Sequence, residues 1–244
     1  MSISRTGTDA VDAAELRERL ASGLAAMAPV IAETVDETAR GQLVKYVQLL
    51  TRWNRAYNLT AVRDPREQVP RHLLDSLAVL PWVVRGPVLD LGTGAGLPGI
   101  PLAIARPRLA FTLLDSNGKK TRFVRQVVLE LGLKNVVVVQ ARLEAYQPEQ
   151  KFATIVARAL SSLASLWVNA RGLAIADGRL LALKGPLAED ELAALMARAD
   201  VDSEASSSVS AGVVAQPRIH PLVVPGVDGE RSLIEVPLGG STHG

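Results

Sequence analysis

The sequence contains no cysteine. That excludes a disulfide framework, a thiolate zinc site and chemistry that needs a cysteine nucleophile, and nothing calls for an oxidising compartment. Histidine is nearly as scarce, with three residues, and no metal is expected. No run reaches the roughly 18 apolar residues that a membrane span requires. The opening stretch "MSISRTGTDAVDAAELRERL" lacks the apolar centre of a signal peptide. A cytoplasmic protein with no membrane contact is expected. Net charge is small too, at +2, so the distribution of charge says more than its sum.

That distribution is uneven. Residues 1–39 hold Arg5, Arg17 and Arg19 against seven acids, whereas 40–71 hold Arg40, Lys45, Arg52, Arg55, Arg63, Arg66 and Arg71 against Asp64 and Glu67. A second basic block over 115–142 contains Lys119, Lys120, Arg122, Arg125, Lys134 and Arg142 against Asp115 and Glu130. Most of these cations are arginines, whose planar fork suits phosphate. The blocks fit either a nucleic-acid surface or two solvated helix faces.

Periodicity divides the chain. Leu16, Leu20, Leu24 and Met27, then Leu43, Val47, Leu50 and Trp53, recur at helical spacing, which predicts a helical extension over 1–56. A connector over 57–86 is broken at Pro65 and Pro70 and carries a short helix from about Arg71 to Leu80. Over 87–238, β-branched runs such as "PVLDLG", "AFTLLDS", "NVVVVQARL" and "KFATIVARA" alternate with helical patterns, predicting a mostly parallel, doubly wound α/β sheet. "GVVAQPRI" and "SLIEVP" have no helix between them and read as an antiparallel hairpin at the sheet edge. The stretch "DSEASSSVSAG" reads as a loop and "GGSTHG" as a frayed tail.

"VLDLGTGAGLPGIP" (88–101) holds the candidate ligand loop. Gly92, Gly94 and Gly96 form one register, G-x-G-x-G, and Gly94, Gly96 and Gly99 form the dinucleotide fingerprint G-x-G-x-x-G. A strand ending at Leu91 puts the turn at Gly92 and favours the first. Asp90 at the strand end would repel a pyrophosphate and attract the cationic amino group of a bound methionine moiety. Asp115, ending the next strand in "TLLDS", suits the two ribose hydroxyls of an adenosine under either register. A tight turn with a helix cap explains the same residues without a ligand.

The motifs "DLGTGAGLPGIPLAI", "LLDSNGKKTRFVRQVV", "YNLTAV", "HLLDSL", "ARAL" and "LALKG", spread over Trp53 to Gly185, resemble the ribosomal RNA small subunit methyltransferase G family, also called glucose-inhibited division protein B. The resemblance implies a class I, Rossmann-like methyltransferase fold with S-adenosyl-L-methionine as cofactor. It further implies methylation of guanine N(7) in bacterial 16S ribosomal RNA, so that the rRNA or the small ribosomal subunit is the partner. Carried over by position, it implies cofactor contacts at Gly92, Leu97, Leu143, Glu144 and Arg158. Ala95 stands where family members often have a third consecutive glycine, and Asn117 replaces a common leucine. Arg158 is expected to pair with a carboxylate, that of the cofactor or that of Asp90.

Guanine N(7) carries a free lone pair, so its methylation needs no general base. His72 is accordingly expected to serve structure or capping, and Asp75 and Ser76 could line the substrate entrance or form a polar helix face. Lys119, Arg122 and either Arg125 or Gln126 share a helix face and, with Lys184 at a strand end, are the candidate RNA contacts. No catalytic residue is singled out. Alternatives remain: a methyltransferase acting on a small molecule, a nicotinamide-dependent dehydrogenase using the Gly94 register, or a ribosome-assembly factor without catalysis.

Overall fold

The computed structural model describes residues 12–158, 162–186, 189–204 and 216–238. Helices α1 (Ala13–Ala25), α2 (Pro29–Thr34) and α3 (Glu37–Tyr57) come first. Asp12 and Asp36 cap α1 and α3 by accepting from the Ala14 and Ala39 N–H groups, which satisfies donors that a helix start leaves unpaired. Leu16, Leu20, Leu24, Met27, Leu43, Val47 and Leu50 are all buried, as their spacing predicts.

The connector differs from expectation. Instead of breaking at both prolines, the chain is helical from 65 to 77: α4 (Pro65–Gln68), a π-helical turn (Val69–Leu74) and α5 (Asp75–Leu77). Pro65 stands in the first turn behind the Asp64 cap, where a missing N–H costs nothing. Pro70 has no N–H to give, and the helix widens locally so that the Asp75 N–H reaches the Pro70 carbonyl.

The main domain runs β1 (Val88–Leu91), α6 (Gly99–Ala105), β2 (Phe111–Asp115), α7 (Gly118–Leu131), β3 (Val136–Gln140), β4 (Phe152–Arg158), α8 (Leu163–Arg171), β5 (Ala174–Lys184), α9 (Glu189–Glu204), β6 (Arg218–Pro221) and β7 (Ser232–Pro237). The strands form one seven-stranded sheet in the order β3-β2-β1-β4-β5-β7-β6. Strands β1 to β5 are parallel, and the expected antiparallel hairpin follows, with β6 at the edge and β7 between it and β5. β5 starts earlier than its pattern suggests, and the register shifts between Phe152 and Thr154. The first three residues of "DSEASSSVSAG" complete α9. The rest of that stretch, the start of "GVVAQPRI" and the tail lie outside the described residues.

One face of the sheet is covered by α6, α7 and the N-terminal helices, which share a continuous core. The opposite face packs on α8 and α9 through Leu163, Leu166, Trp167 and Leu195. The strand register fixes what meets at the carboxyl edge. Leu91 pairs with Ala157, Arg158 with Leu183, and Lys184 with Ser232. The ends of β1, β4 and β5 therefore lie level with the beginning of β7, the edge where open α/β sheets bind ligands.

Candidate active site

The turn after β1 begins at Gly92. Gly92, Gly94 and Gly96 have φ of 65°, 59° and 95°, the left-handed region that favours glycine. Gly99 instead opens α6 and accommodates the close approach of Asp90, whose Oδ2 would stand 2.5 Å from a Cβ there. The loop thus follows the G-x-G-x-G register.

Two strand-end carboxylates hold this loop. Asp115 Oδ2 accepts from the Gly94 N–H at 2.8 Å and Oδ1 from the Asn117 N–H at 2.7 Å, and each oxygen retains acceptor capacity. Asp90 is enclosed rather than open to the surface, with no exposed area. Its Oδ2 accepts from the Thr93 hydroxyl at 2.6 Å and the Gly99 N–H at 2.9 Å, while Oδ1 is buried without a partner among the described residues. Burial pushes the Asp90 carboxyl up to about 6, against the lowering effect of the Thr93 and Gly99 bonds. A third clamp comes from α3, where the buried Tyr46 hydroxyl donates to the Ala95 carbonyl at 2.8 Å. Nothing in the sequence pattern singled out Tyr46, since it reads as one more buried residue of α3.

Beside the loop lies a cleft of about 470 Å³, lined among others by Gly92, Asp115, Leu143, Glu144, Ser165 and Asn169, a size usual for cofactor sites. Of the residues proposed from sequence, it brings together Gly92, Asp115, Leu143 and Glu144. Asp90, Gly94, Gly96, Leu97 and Arg158 are not part of its lining. Leu97 is buried, its N–H bonded to the Thr93 carbonyl. Ser165 and Asn169, one turn apart on α8, went unnoticed because their spacing alone does not distinguish them from a polar helix face. The acceptor set fits S-adenosylmethionine: paired acceptors on Asp115 suit ribose hydroxyls, and the enclosed Asp90 carboxylate behind the turn suits a cationic amino group by its charge.

Arg158 differs from expectation. Its Nη1 pairs with Asp75 Oδ2 at 3.1 Å and donates to the Arg71 carbonyl at 3.2 Å, because α5 brings a carboxylate to the end of β4, whereas Asp90 is occupied by the loop. Arg231, before β7, approaches Asp75 Oδ1 from the other side at 3.5 Å. His72 is buried between the Thr60 hydroxyl and its neighbour's carbonyl, each at 2.9 Å. Burial, aided by the Arg158 charge, pushes its pKa down to about 4, so it is neutral near pH 7. Ser76 is buried, and its hydroxyl has no partner among the described residues.

On α7, Lys119, Arg122 and Arg125 are exposed, whereas Gln126 is half-buried and donates to Glu130 at 3.0 Å. Phe123, Val127 and Leu131 face the core. Lys120, absent from the candidate set, places its ammonium 3.9 Å from where a Cβ on Gly94 would stand. Lys184 is engaged with Glu191 at 2.5 Å, since α9 returns an acid to the end of β5. Among the described residues no group of His, Asp and Glu could hold a metal ion, and no helix is long and apolar enough to cross a membrane.

A family model described as rRNA small subunit methyltransferase G matches residues 39–219. The ribosomal RNA small subunit methyltransferase G of Marinobacter nauticus is 50% identical over 218 residues, covering 89% of this chain and 93% of that protein. Its counterpart from Hahella chejuensis is 44% identical over 227 residues, covering 93% and 96%. Among solved structures, a SAM-dependent methyltransferase from Aquifex aeolicus matches with a TM-score of 0.51 at 18% identity, over 74% of this chain and 97% of that one. A SAM-dependent O-methyltransferase from Thermotoga maritima gives 0.51 at 8% identity, over 78% and 71%. At such identities the structures speak for the fold alone, and that fold is the class I methyltransferase sheet.

Proposed function

The chain belongs to the rRNA small subunit methyltransferase G family, and from that premise we propose how its own residues serve the reaction. Membership makes it an S-adenosylmethionine-dependent enzyme of the family that methylates guanine(527)-N(7) in 16S rRNA. Neither a small-molecule substrate nor nicotinamide chemistry fits that membership. When bound, S-adenosylmethionine supplies an electrophilic methyl group on a sulfonium. The chain's task is to orient that methyl against a lone pair and to exclude water, because N(7) has no proton to lose.

Asp115 accepts the ribose hydroxyls, Leu143 and Glu144 border the adenine end, and the backbone of Gly92, Gly94 and Gly96 lets the ligand lie close to the strand ends. Asp90, enclosed behind the turn, fixes it through Thr93 and Gly99 and adds negative charge that favours the cationic amino group, and Leu97 supports the loop from beneath. Arg158 lies level with Gly92 and closes the methyl-transfer end. Lys119, Arg122 and Arg125, joined by Lys120, meet RNA phosphates, with the small ribosomal subunit or its 16S rRNA as partner and the cytoplasm as the setting. Lys184 serves RNA only if Glu191 releases it.

The observation that carries this reading is the glycine turn fastened to Asp115 beside the cleft. Radiolabelled methyl transfer to small subunits lacking the modification, followed by nucleoside analysis, tests it. The expected product is 7-methylguanosine. Label at another atom, or none, overturns the reading.

A further inference from the structure

At the carboxyl edge of the sheet three segments remote in sequence converge on one carboxylate. Arg158 ends β4 level with Gly92, Arg231 enters β7 beside Gly185, and Asp75 stands between them on α5. Asp75 is largely buried, with 11% of its side chain exposed, yet its two oxygens are unequally used. Oδ2 takes a 3.1 Å hydrogen bond from Arg158, whereas among the described residues Oδ1 has only the 3.5 Å approach of Arg231, too long for a good hydrogen bond. Arg158 is itself fixed by the Arg71 carbonyl. The carboxylate is thus oriented in advance and retains acceptor capacity at the methyl-transfer end of the site.

We propose that Asp75 reads the target guanine, accepting hydrogen bonds from its N1–H and exocyclic amino group. This rests on the guanine N(7) reading above. Among the four RNA bases only guanine sets two N–H donors side by side on its pairing edge, so a carboxylate matches guanine and meets an acceptor in each of the others. That edge lies away from N(7) and stays free while N(7) reacts. It is reachable once the base leaves its stack.

Charge movement adds a second role. The N(7) lone pair forms the new C–N bond as the C–S bond breaks, the electron pair stays on sulfur, and the positive charge passes to the guanine ring. N1–H becomes a stronger donor as that happens. A carboxylate on the pairing edge therefore binds the transition state more tightly than the neutral base.

The experiment is a cycle between enzyme and substrate, using small subunits reconstituted with guanosine or inosine at the target position. Inosine lacks the amino group but keeps N(7). Inosine should slow wild-type single-turnover methylation by roughly five- to a hundredfold, the range for a good bidentate base contact. Asp75→Asn should slow the guanosine reaction comparably with unchanged S-adenosylmethionine affinity, and inosine should slow this variant little further. Independent, multiplying losses would overturn the proposal and leave Asp75 a brace for Arg158 and Arg231. A wild type indifferent to inosine would overturn it without any variant, and Asp75→Ser can replace Asp75→Asn should the latter misfold. Absence of 7-methylguanosine from wild type on guanosine subunits would instead overturn the N(7) reading.

Discussion

Helix α3 and the outer face of α7 carry equally basic sequence, yet the fold uses their cations in opposite ways. On α3, Lys45 donates to the Glu130 carbonyl at 2.9 Å, Arg52 pairs with Glu130 at 3.3 Å and Arg40 donates to the Val35 carbonyl at 3.1 Å. Farther along the same basic block, Arg66 pairs with Glu15 and Arg71 with Glu67. Lys119, Lys120, Arg122 and Arg125 on α7 have no ion pair among the described residues. The aromatic contact of Trp53 with Phe123, ring centroids 5.6 Å apart, joins the two helices. One helix thus holds the other and, through Tyr46, the glycine loop. Charge counted along a sequence measures what is present, and only the packing shows how much is left for a partner.

The largest effect expected from breaking this contrast is at Tyr46. Tyr46→Phe leaves the Ala95 carbonyl buried without a donor, which should cost about 1–3 kcal/mol of stability by denaturant unfolding. It should also weaken S-adenosylmethionine binding in calorimetry. An unchanged cofactor affinity would reduce α3 to a scaffold with no hold on the site.

On α7 the expected loss is of RNA affinity alone. Changing Arg122 and Arg125 together to Gln should lower the slope of log affinity against log salt by about 0.7–0.9 for each phosphate that is no longer neutralised, with stability within about 0.5 kcal/mol of wild type. A fall in thermal stability together with cofactor affinity would place these arginines with α3 as braces.

The fold also buries two groups whose titrations oppose. Asp90 is raised to about 6 from 3.8, so between those values the native state binds more protons than the unfolded chain, and stability falls as pH rises. His72 is lowered to about 4 from 6.5, so between those values the unfolded chain binds more protons, and stability rises with pH. The slopes offset each other between about pH 4 and 6. Asp90→Asn should uncover the histidine slope, seen as a steeper loss of stability on acidification. It should also abolish a gain in cofactor affinity as wild type passes upward through about pH 6.

The smallest effect is expected from Arg52→Gln on α3. Its pair with Glu130 is exposed, and such pairs contribute about 0–1 kcal/mol. The RNA salt slope should not change. A slope lowered as far as by one α7 arginine would erase the distinction between the two helices.

The alternation of β-branched runs with helical patterns made the parallel sheet legible, and the strand end at Leu91 located the glycine turn. Asp115 at the end of β2 was legible for the same reason, whereas Leu143 and Glu144 came from the family resemblance alone, and all three line one cleft. Tyr46, Arg231 and the true partner of Arg158 were not legible. Each depends on contacts between segments far apart in sequence, such as Asp75 with Arg158, and no local pattern encodes which acid a strand-end arginine will meet. The partner of Lys184 was not legible either, because Glu191 belongs to a helix whose return over the sheet only the tertiary fold decides. Pro70 misled in another way: proline forbids a hydrogen bond of the ordinary helix, but a widened turn restores a path that a sequence rule treats as closed.

Strand β3 forms one border of the sheet, paired with β2 alone. Its sequence, VVVVQ, is uncharged and β-branched, and Val137 is 62% exposed. Such a strand is a template on which another molecule's strand could add, the first step of self-association. Lys134 and Arg142 stand just outside its two ends, where like charges on a second copy would repel. Neutralising Lys134, which stands clear of the cofactor cleft, should therefore shorten the shelf life of concentrated enzyme while leaving each folded molecule as active as before.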